Sequence, residues 1–287
     1  MFGRKREGSV ICPSCGNLVG VNDDECLTCG RRNPGLWGFG PLLAKFGRGR
    51  LDESFIQFIT IACAAMYVAS LLIDAGGIRM GGIMGFLSPS TSGLFLLGAS
   101  GALPIFQFDR WWTVLTATWL HGGLLHILFN MYAVRIVGPA IIEFYGLSRM
   151  VIIYIAAGAT GFLMTSTVGY LFPFPIPFLS GASLTVGASA SLLGLIGAAM
   201  YYARRSGSSA ISMQLRPWLI YIVVMGFIIP NVDNMAHLGG FLGGYGLSAW
   251  LDPLMPERQD HTLWALLSVG LTVLAIVASV IHGIQFL

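Results

Sequence analysis

Charge is what this sequence has least of. Asp, Glu, Lys and Arg together make up 10% of its 287 residues, against roughly a quarter in soluble domains. With 55% hydrophobic residues and a mean hydropathy of +0.75, that scarcity excludes an ordinary water-soluble globular fold. It points instead to an all-α polytopic membrane protein. Cysteine is equally sparse over most of the chain. Four of the five lie at Cys12, Cys15, Cys26 and Cys29, and Cys63 stands alone in an apolar run. The basic start is followed by a polar, cysteine-bearing segment and not by an apolar stretch, so no cleavable signal peptide is expected. Glycine, by contrast, is plentiful at 38 residues, as suits bundled membrane helices whose backbones approach closely.

The first 34 residues form a small polar module. Cys12-Pro-Ser-Cys15 and Cys26-Leu-Thr-Cys29 are two CxxC knuckles, each followed directly by glycine (Gly16, Gly30). Each tight turn aims two sulfurs at one point, and zinc takes four thiolates in a tetrahedron. The spacing is that of a short zinc ribbon, with a pair of disulfides as the alternative. A segment this short cannot bury a sizeable core, so a structural zinc would supply its folding energy. Residues 35–54 read as a linker whose Lys45, Arg48 and Arg50, with Trp37 and Phe39, suit the lipid headgroup surface or a plain tether. The ribbon's own partner is unknown. Nucleic acid is not expected, because the basic residues around it are explained equally well by membrane topology.

Seven apolar spans follow: Phe55–Ile73, Leu124–Phe144, Met150–Val168, Gly187–Ala203, a shorter Trp218–Ile229, Met235–Trp250 and Trp264–Ile284. A long loop, Asp74–Trp119, separates the first two. The Pro-rich stretch 172–178 precedes span four, and the polar break Asp252–His261 precedes span seven. The net charge of +3 says little by itself, but its placement does. With the N-terminus inside, only Arg79 and Arg110 fall outside and Arg135 falls within span two, leaving 13 of the 16 basic residues inside. The positive-inside rule therefore predicts a cytosolic N-terminus and a C-terminus on the opposite side. A reducing cytosol weakens the case for disulfides in the module. The composition suits a multi-pass protein of a prokaryotic plasma membrane. Arg135 is expected either to reach the inner surface or to pair with Glu143.

In this topology three spans enter from the outer side carrying polar groups. Span two brings His121, His126 and Asn130; span four brings Ser189 at its third residue; span six brings Asp233, Asn234 and His237. Ionisable residues in a bilayer are costly and mark function. Alone, Ser189 would read as a serine bonding back to its helix, and His237 as a packed histidine. At one depth the set reads as chemistry. Imidazole can take the serine proton, so Ser189 and His237 form a two-residue version of the serine-protease triad. His126 and Asn130 share a helix face one turn apart and would donate to an oxyanion. Gly239, Gly240, Gly243 and Gly244 provide a small-residue face for span six to pack on Gly194 and Gly197 of span four. A transporter is disfavoured, since the polar cluster lies near one face and no matching pair of interrupted spans is present.

Residues 55–251 resemble the rhomboid intramembrane serine proteases. The stretches that carry the resemblance are His121-Gly-Gly-Leu-Leu-His126-Ile-Leu-Phe-Asn130, Gly187-Ala-Ser189-Ala190 and Asp233-Asn-Met-Ala-His237-Leu-Gly-Gly. The resemblance implies a six-helix core with one added helix at 252–287 and no catalytic cofactor. Ser189 would be the nucleophile, His237 the base, His126 and Asn130 the oxyanion donors, and His121 and Glu143 structural polar residues. Its partners would be transmembrane protein substrates and the lipid bilayer, with cleavage near the outer face. Two positions depart from the family pattern: Ala190 stands where glycine is usual, and Thr113 where an arginine follows Trp112. Ala190 is the feature that would suit the alternative, a catalytically inactive rhomboid-like protein that binds membrane-protein clients.

Overall fold

The computed structural model describes residues 6–12, 15–35, 54–82, 85–172, 179–229 and 232–286. Most of the basic linker (36–53) and the prolines at 173–177 lie outside the described residues. The N-terminal module is a two-stranded antiparallel ribbon, β1 (Ser9–Ile11) with β2 (Leu18–Gly20). Its core is no more than Val10, Val19 and Val21 around Cys12 and Cys26, too little apolar surface to hold a fold alone.

The rest is helical. Seven long helices match the seven expected spans: α1 (Ser54–Ile73), α4 (Leu124–Tyr145), α5 (Leu147–Leu171), α6 (Ser189–Ser206), α7 (Ser209–Ile228), α8 (Asn234–Trp250) and α9 (Gln259–Gly283). The loop between the first two is folded rather than open. It carries the hairpin β3 (Arg79–Gly81) and β4 (Gly85–Ser88), the short helices α2 (Thr91–Leu97) and α3 (Thr113–Thr116), and a π-helical turn at Leu103–Gln107.

Several boundaries differ from the hydropathy reading, α5 running three residues beyond the expected span at each end. The fourth helix starts at Ser189 and not at Gly187, so Ser189 is its first residue. Helix α7 starts at Ser209, nine residues before Trp218, with Ser208 as its N-cap and Pro217 inside it. Hydropathy missed this because Gln214, Arg216 and Pro217 interrupt the apolar run. Helix α9 starts at Gln259 and absorbs the end of the polar break. The expected Arg135–Glu143 pair is not formed. Both side chains are exposed on α4, and the ion pairs among the described residues involve neither.

Five of the long helices are long and apolar enough to cross a membrane, and α6 and α8, the latter with 17 residues, fall outside that set. Both are enclosed by protein. Eleven of the 18 residues of α6 are buried, and α8 runs between α5 and α6 on its glycines. A methyl built on Gly240 would overlap the Ala190 carbonyl, and one on Gly244 the Gly194 carbonyl. Gly239 and Gly243, on the neighbouring face, are equally tight against Met164 and Thr160 of α5. Helices enclosed by protein need small residues more than large apolar ones. Helix α7 is the opposite case, with Gly226 alone buried.

Two buried arginines tie α9 and its approach to the bundle. At one end Arg149 donates to the carbonyls of Leu251, Asp252 and Met255 at 2.8–3.0 Å, and to that of Tyr145. Arg110 does the corresponding work at the other end. The ribbon docks on the first turn of α9 through a two-pronged Arg31–Asp260 pair at 2.6 and 2.7 Å.

Candidate active site

Ser189 opens α6, and the residues before it are held by backbone pairing. Thr185 and Ser100 exchange hydrogen bonds at 2.7 and 3.1 Å, and the Gly187 amide donates to the Ala117 carbonyl at 3.0 Å. Gly187 has φ +138°, a conformation that side chains rarely adopt. A methyl there would also sit 2.7 Å from His126 Nε2 and 3.7 Å from Ser189 Oγ. Glycine thus keeps open the space between imidazole and hydroxyl. The ladder of α6 begins with the Leu192 amide to the Ala188 carbonyl at 2.9 Å, so the amides of Ser189, Ala190 and Ser191 stand ahead of it as helix-start donors.

His237 lies in the first turn of α8, which Asp233 caps by accepting from the Ala236 amide at 2.9 Å. Its Nε2 stands 2.8 Å from Ser189 Oγ. Its Nδ1 is buried and has no hydrogen-bond partner among the described residues, so the pair has no third, carboxylate member. Asp233 also accepts from Thr165 Oγ1 at 2.8 Å, and that same oxygen accepts from the Ala182 amide at 2.9 Å. The start of α8 and the approach to α6 are therefore joined through α5.

His126 approaches from α4. Its Nδ1 accepts from the Gly122 amide at 3.4 Å, which leaves the ring proton on Nε2, the edge that faces Gly187. His121 is fully buried and packs edge-on against His126, ring centroids 5.2 Å apart. Asn130 is buried too, and one of its amide protons goes to the His126 carbonyl at 2.9 Å. Ser189, His237, His126 and Asn130 all line one cavity of about 1470 Å³. Its walls include Phe129 and Tyr132 of α4, and Trp218, Tyr221 and Met225 of the loosely attached α7. Ala190 is 1% exposed and its methyl packs with Ala117, Phe162 and Ala236, opposite Gly161. Glu143 lies exposed on α4.

Sequence reading overlooked the α7 wall and the Thr165–Asp233 link. The first had a signal in the aromatic residues Trp218 and Tyr221. The second joins residues 68 apart and had none.

In the ribbon, the four cysteine sulfurs all lie within 4.8 Å of one another. The Cys12–Cys29 and Cys15–Cys26 separations are 3.8 and 3.6 Å. A tetrahedron with bonds of about 2.3 Å has edges of about 3.8 Å, so the cluster fits a metal ion.

A serine hydroxyl and an imidazole thus stand in contact beside an amide-rich helix start, in a cavity between apolar helices, the spacing that a nucleophile and its base require. Residues 109–253 match the Rhomboid domain family model, and the chain belongs to the rhomboid family, whose members are typically intramembrane serine proteases. It is an integral membrane protein. Relatives include "Rhomboid protease GluP" of Bacillus subtilis, 34% identical over 65% of this chain and 35% of that protein. Another is "RHOMBOID-like protein 6, mitochondrial" of Arabidopsis thaliana, 34% identical over 56% of this chain and 50% of that one. "Putative rhomboid protease YdcA" of Bacillus subtilis is 30% identical over 48% of this chain and 66% of its own length. The chain thus spans a third to a half of the first two relatives.

Proposed function

We propose that this chain is an intramembrane serine endopeptidase that cleaves transmembrane segments near the outer face by a Ser189–His237 dyad. The observation that carries the reading is the 2.8 Å contact between His237 Nε2 and Ser189 Oγ inside the cavity. Serine attacks only when a base takes its proton, and the base must already be within hydrogen-bond reach.

A transmembrane helix hides its peptide bonds in its own hydrogen bonds, so a scissile bond must be presented on an unwound stretch. The gap between α4 and α7 is walled by exposed apolar and aromatic residues and offers a lateral way in for such a stretch. Substrates with Gly or Pro near the cut should be preferred, because they lower the cost of unwinding. Ser189 Oγ attacks the carbonyl carbon while its proton passes to His237 Nε2. The developing oxyanion is met by the Ser189 amide, the His126 Nε2 proton and the second amide proton of Asn130. His237 then gives its proton to the leaving amine. Water, deprotonated in turn by His237, attacks the acyl-serine, and the acid is released as His237 returns that proton to the departing Ser189 Oγ.

A fluorophosphonate should label the purified protein, with the adduct on Ser189 by peptide mass spectrometry. Adducts elsewhere, or none, would count against the reading. The inactive-client-binder alternative rests on Ala190, whose methyl is housed opposite Gly161 away from solvent. Ala190→Gly should therefore lower stability by about 1 kcal/mol through helix propensity and barely change the labelling rate. A large rise in labelling would mean that the methyl obstructs the site.

In the same reading the N-terminus is cytosolic and the ribbon carries one structural zinc on Cys12, Cys15, Cys26 and Cys29. The ion would replace the missing core, as structural zinc does in small modules at an apparent ~10–16 kcal/mol. Metal analysis should find one zinc per chain, absent in Cys12→Ser and Cys26→Ser. A metal-free preparation with a folded ribbon would contradict this.

A further inference from the structure

We propose that Arg110 is a positioning residue for Ser189, clamping the far end of α9 to the loop that aligns the nucleophile. The inference rests on Ser189 being the nucleophile. Arg110 is fully buried and no acidic residue pairs with it among the described ion pairs. Burying a charge without a counter-ion is costly unless its donors are satisfied. Arg110 offsets most of this cost with carbonyls, its two terminal nitrogens donating to Phe95 at 2.6 Å, Leu96 at 3.3 Å and Ser279 at 2.8 Å, while its Nε has no partner among the described residues. Phe95 and Leu96 lie in the last turn of α2, where the Phe95 carbonyl also accepts from the Gly98 amide at 3.1 Å, and the guanidinium lies 4.3 Å over the Phe95 ring. Ser279 belongs to α9. A second strap runs beside the first, with Trp112 Nε1 donating to Ser279 Oγ at 3.0 Å.

What this clamp holds leads directly to the site. Gly98 follows α2 and is wedged between Thr116 and Ser279, with Thr116 Oγ1 donating to its carbonyl. The next residues form a rail for the approach to α6. Besides the Ser100–Thr185 pair, the Ala102 amide donates to Ala182 at 2.9 Å and the Leu103 amide to Ser183 at 3.0 Å. Thr185 is four residues before Ser189. Among the described residues no hydrogen bond joins α9 to Ser189 or His237, yet in this proposal its outer end fixes the height and angle of the segment from which Ser189 projects. Thr113 occupies the place of the expected arginine and donates to the Arg110 carbonyl at 2.7 Å. Arg110 lies three residues before that position and reaches the seventh helix at Ser279.

Arg110→Lys in the full chain tests this, since one ammonium cannot span three divergent carbonyls. Fluorophosphonate labelling of Ser189 should slow by about tenfold or more, as expected for a small misplacement of reacting groups. For a transmembrane substrate, kcat should fall with little change in KM, because the cavity walls on α4 and α7 are untouched. Hydrogen exchange at the Thr185, Ala102 and Leu103 amides should accelerate while Gly240 in α8 stays protected. Wild-type labelling together with wild-type exchange at Thr185 would overturn the proposal. So would slowed labelling with unchanged exchange there. Faster exchange at Thr185 in a protein whose wild type never labels would overturn the nucleophile reading and leave the clamp standing. If Arg110→Lys fails to fold in detergent, Trp112→Phe removes only the second strap and carries the same comparisons with a smaller change.

Discussion

His237→Ala should reduce cleavage and fluorophosphonate labelling to background, a loss of at least ~10³-fold, while the protein remains folded. A serine hydroxyl at neutral pH is almost wholly protonated, and the group in contact with Ser189 Oγ that can accept the proton is His237 Nε2 at 2.8 Å. His237 Nδ1 has no partner among the described residues, so no carboxylate stands ready to support a substitute base, and His237→Gln should not rescue. The fold should survive because α8 is held by its glycine faces and by the Asp233 cap and not by the imidazole. A thermal melt within a few degrees of wild type would establish that chemistry alone was removed. Substantial cleavage by His237→Ala would mean that another group takes the serine proton.

Gly240→Val should be the most damaging change remote from the reacting atoms. A first side-chain carbon on Gly240 would overlap the Ala190 carbonyl and lie 3.1 Å from the Ala190 Cα. Backbone cannot yield as a flexible side chain can, so α8 must back away from α6. Overpacking in a tight core costs ~1–3 kcal/mol or more. The consequence for chemistry is larger, because Ser189 and His237 sit on the two helices being separated. A displacement near 1 Å can cost ~10² in rate. The control is Gly246→Ala on the same helix, where an added methyl meets nothing within 4 Å. It should leave activity intact and slightly raise stability, since alanine favours helix by about 1 kcal/mol. Equal tolerance of both substitutions would mean that the α6–α8 contact is looser than the structure has it.

What could be read from the residues followed their physics. Apolar runs located the seven helices, because a membrane helix needs about 20 apolar residues. Running the polar groups along those helices grouped Ser189, His237 and His126, and the structure brings these three to one cavity. The boundaries that moved are those where hydropathy is a poor guide. Ser189 heads its helix because the Gly187 conformation and the Ser100–Thr185 pairing end the loop there, and neither is a hydropathy signal. Pro217 lies inside α7, where its missing amide removes one intrahelical hydrogen bond without ending the helix. The clamp at Arg110 and the ribbon's Arg31–Asp260 contact join residues 169 and 229 apart, and no local pattern announces such a pairing. The Arg135–Glu143 expectation failed for a related reason. Eight residues is more than two helical turns, and the two side chains leave α4 in different directions.

The most direct test of the account is cleavage of a model transmembrane substrate by purified protein in reconstituted vesicles, wild type against Ser189→Ala. Wild type should cut the substrate at one site near the end of its membrane segment, and Ser189→Ala should give no product over the same period. Undiminished cleavage by Ser189→Ala would contradict the central claim.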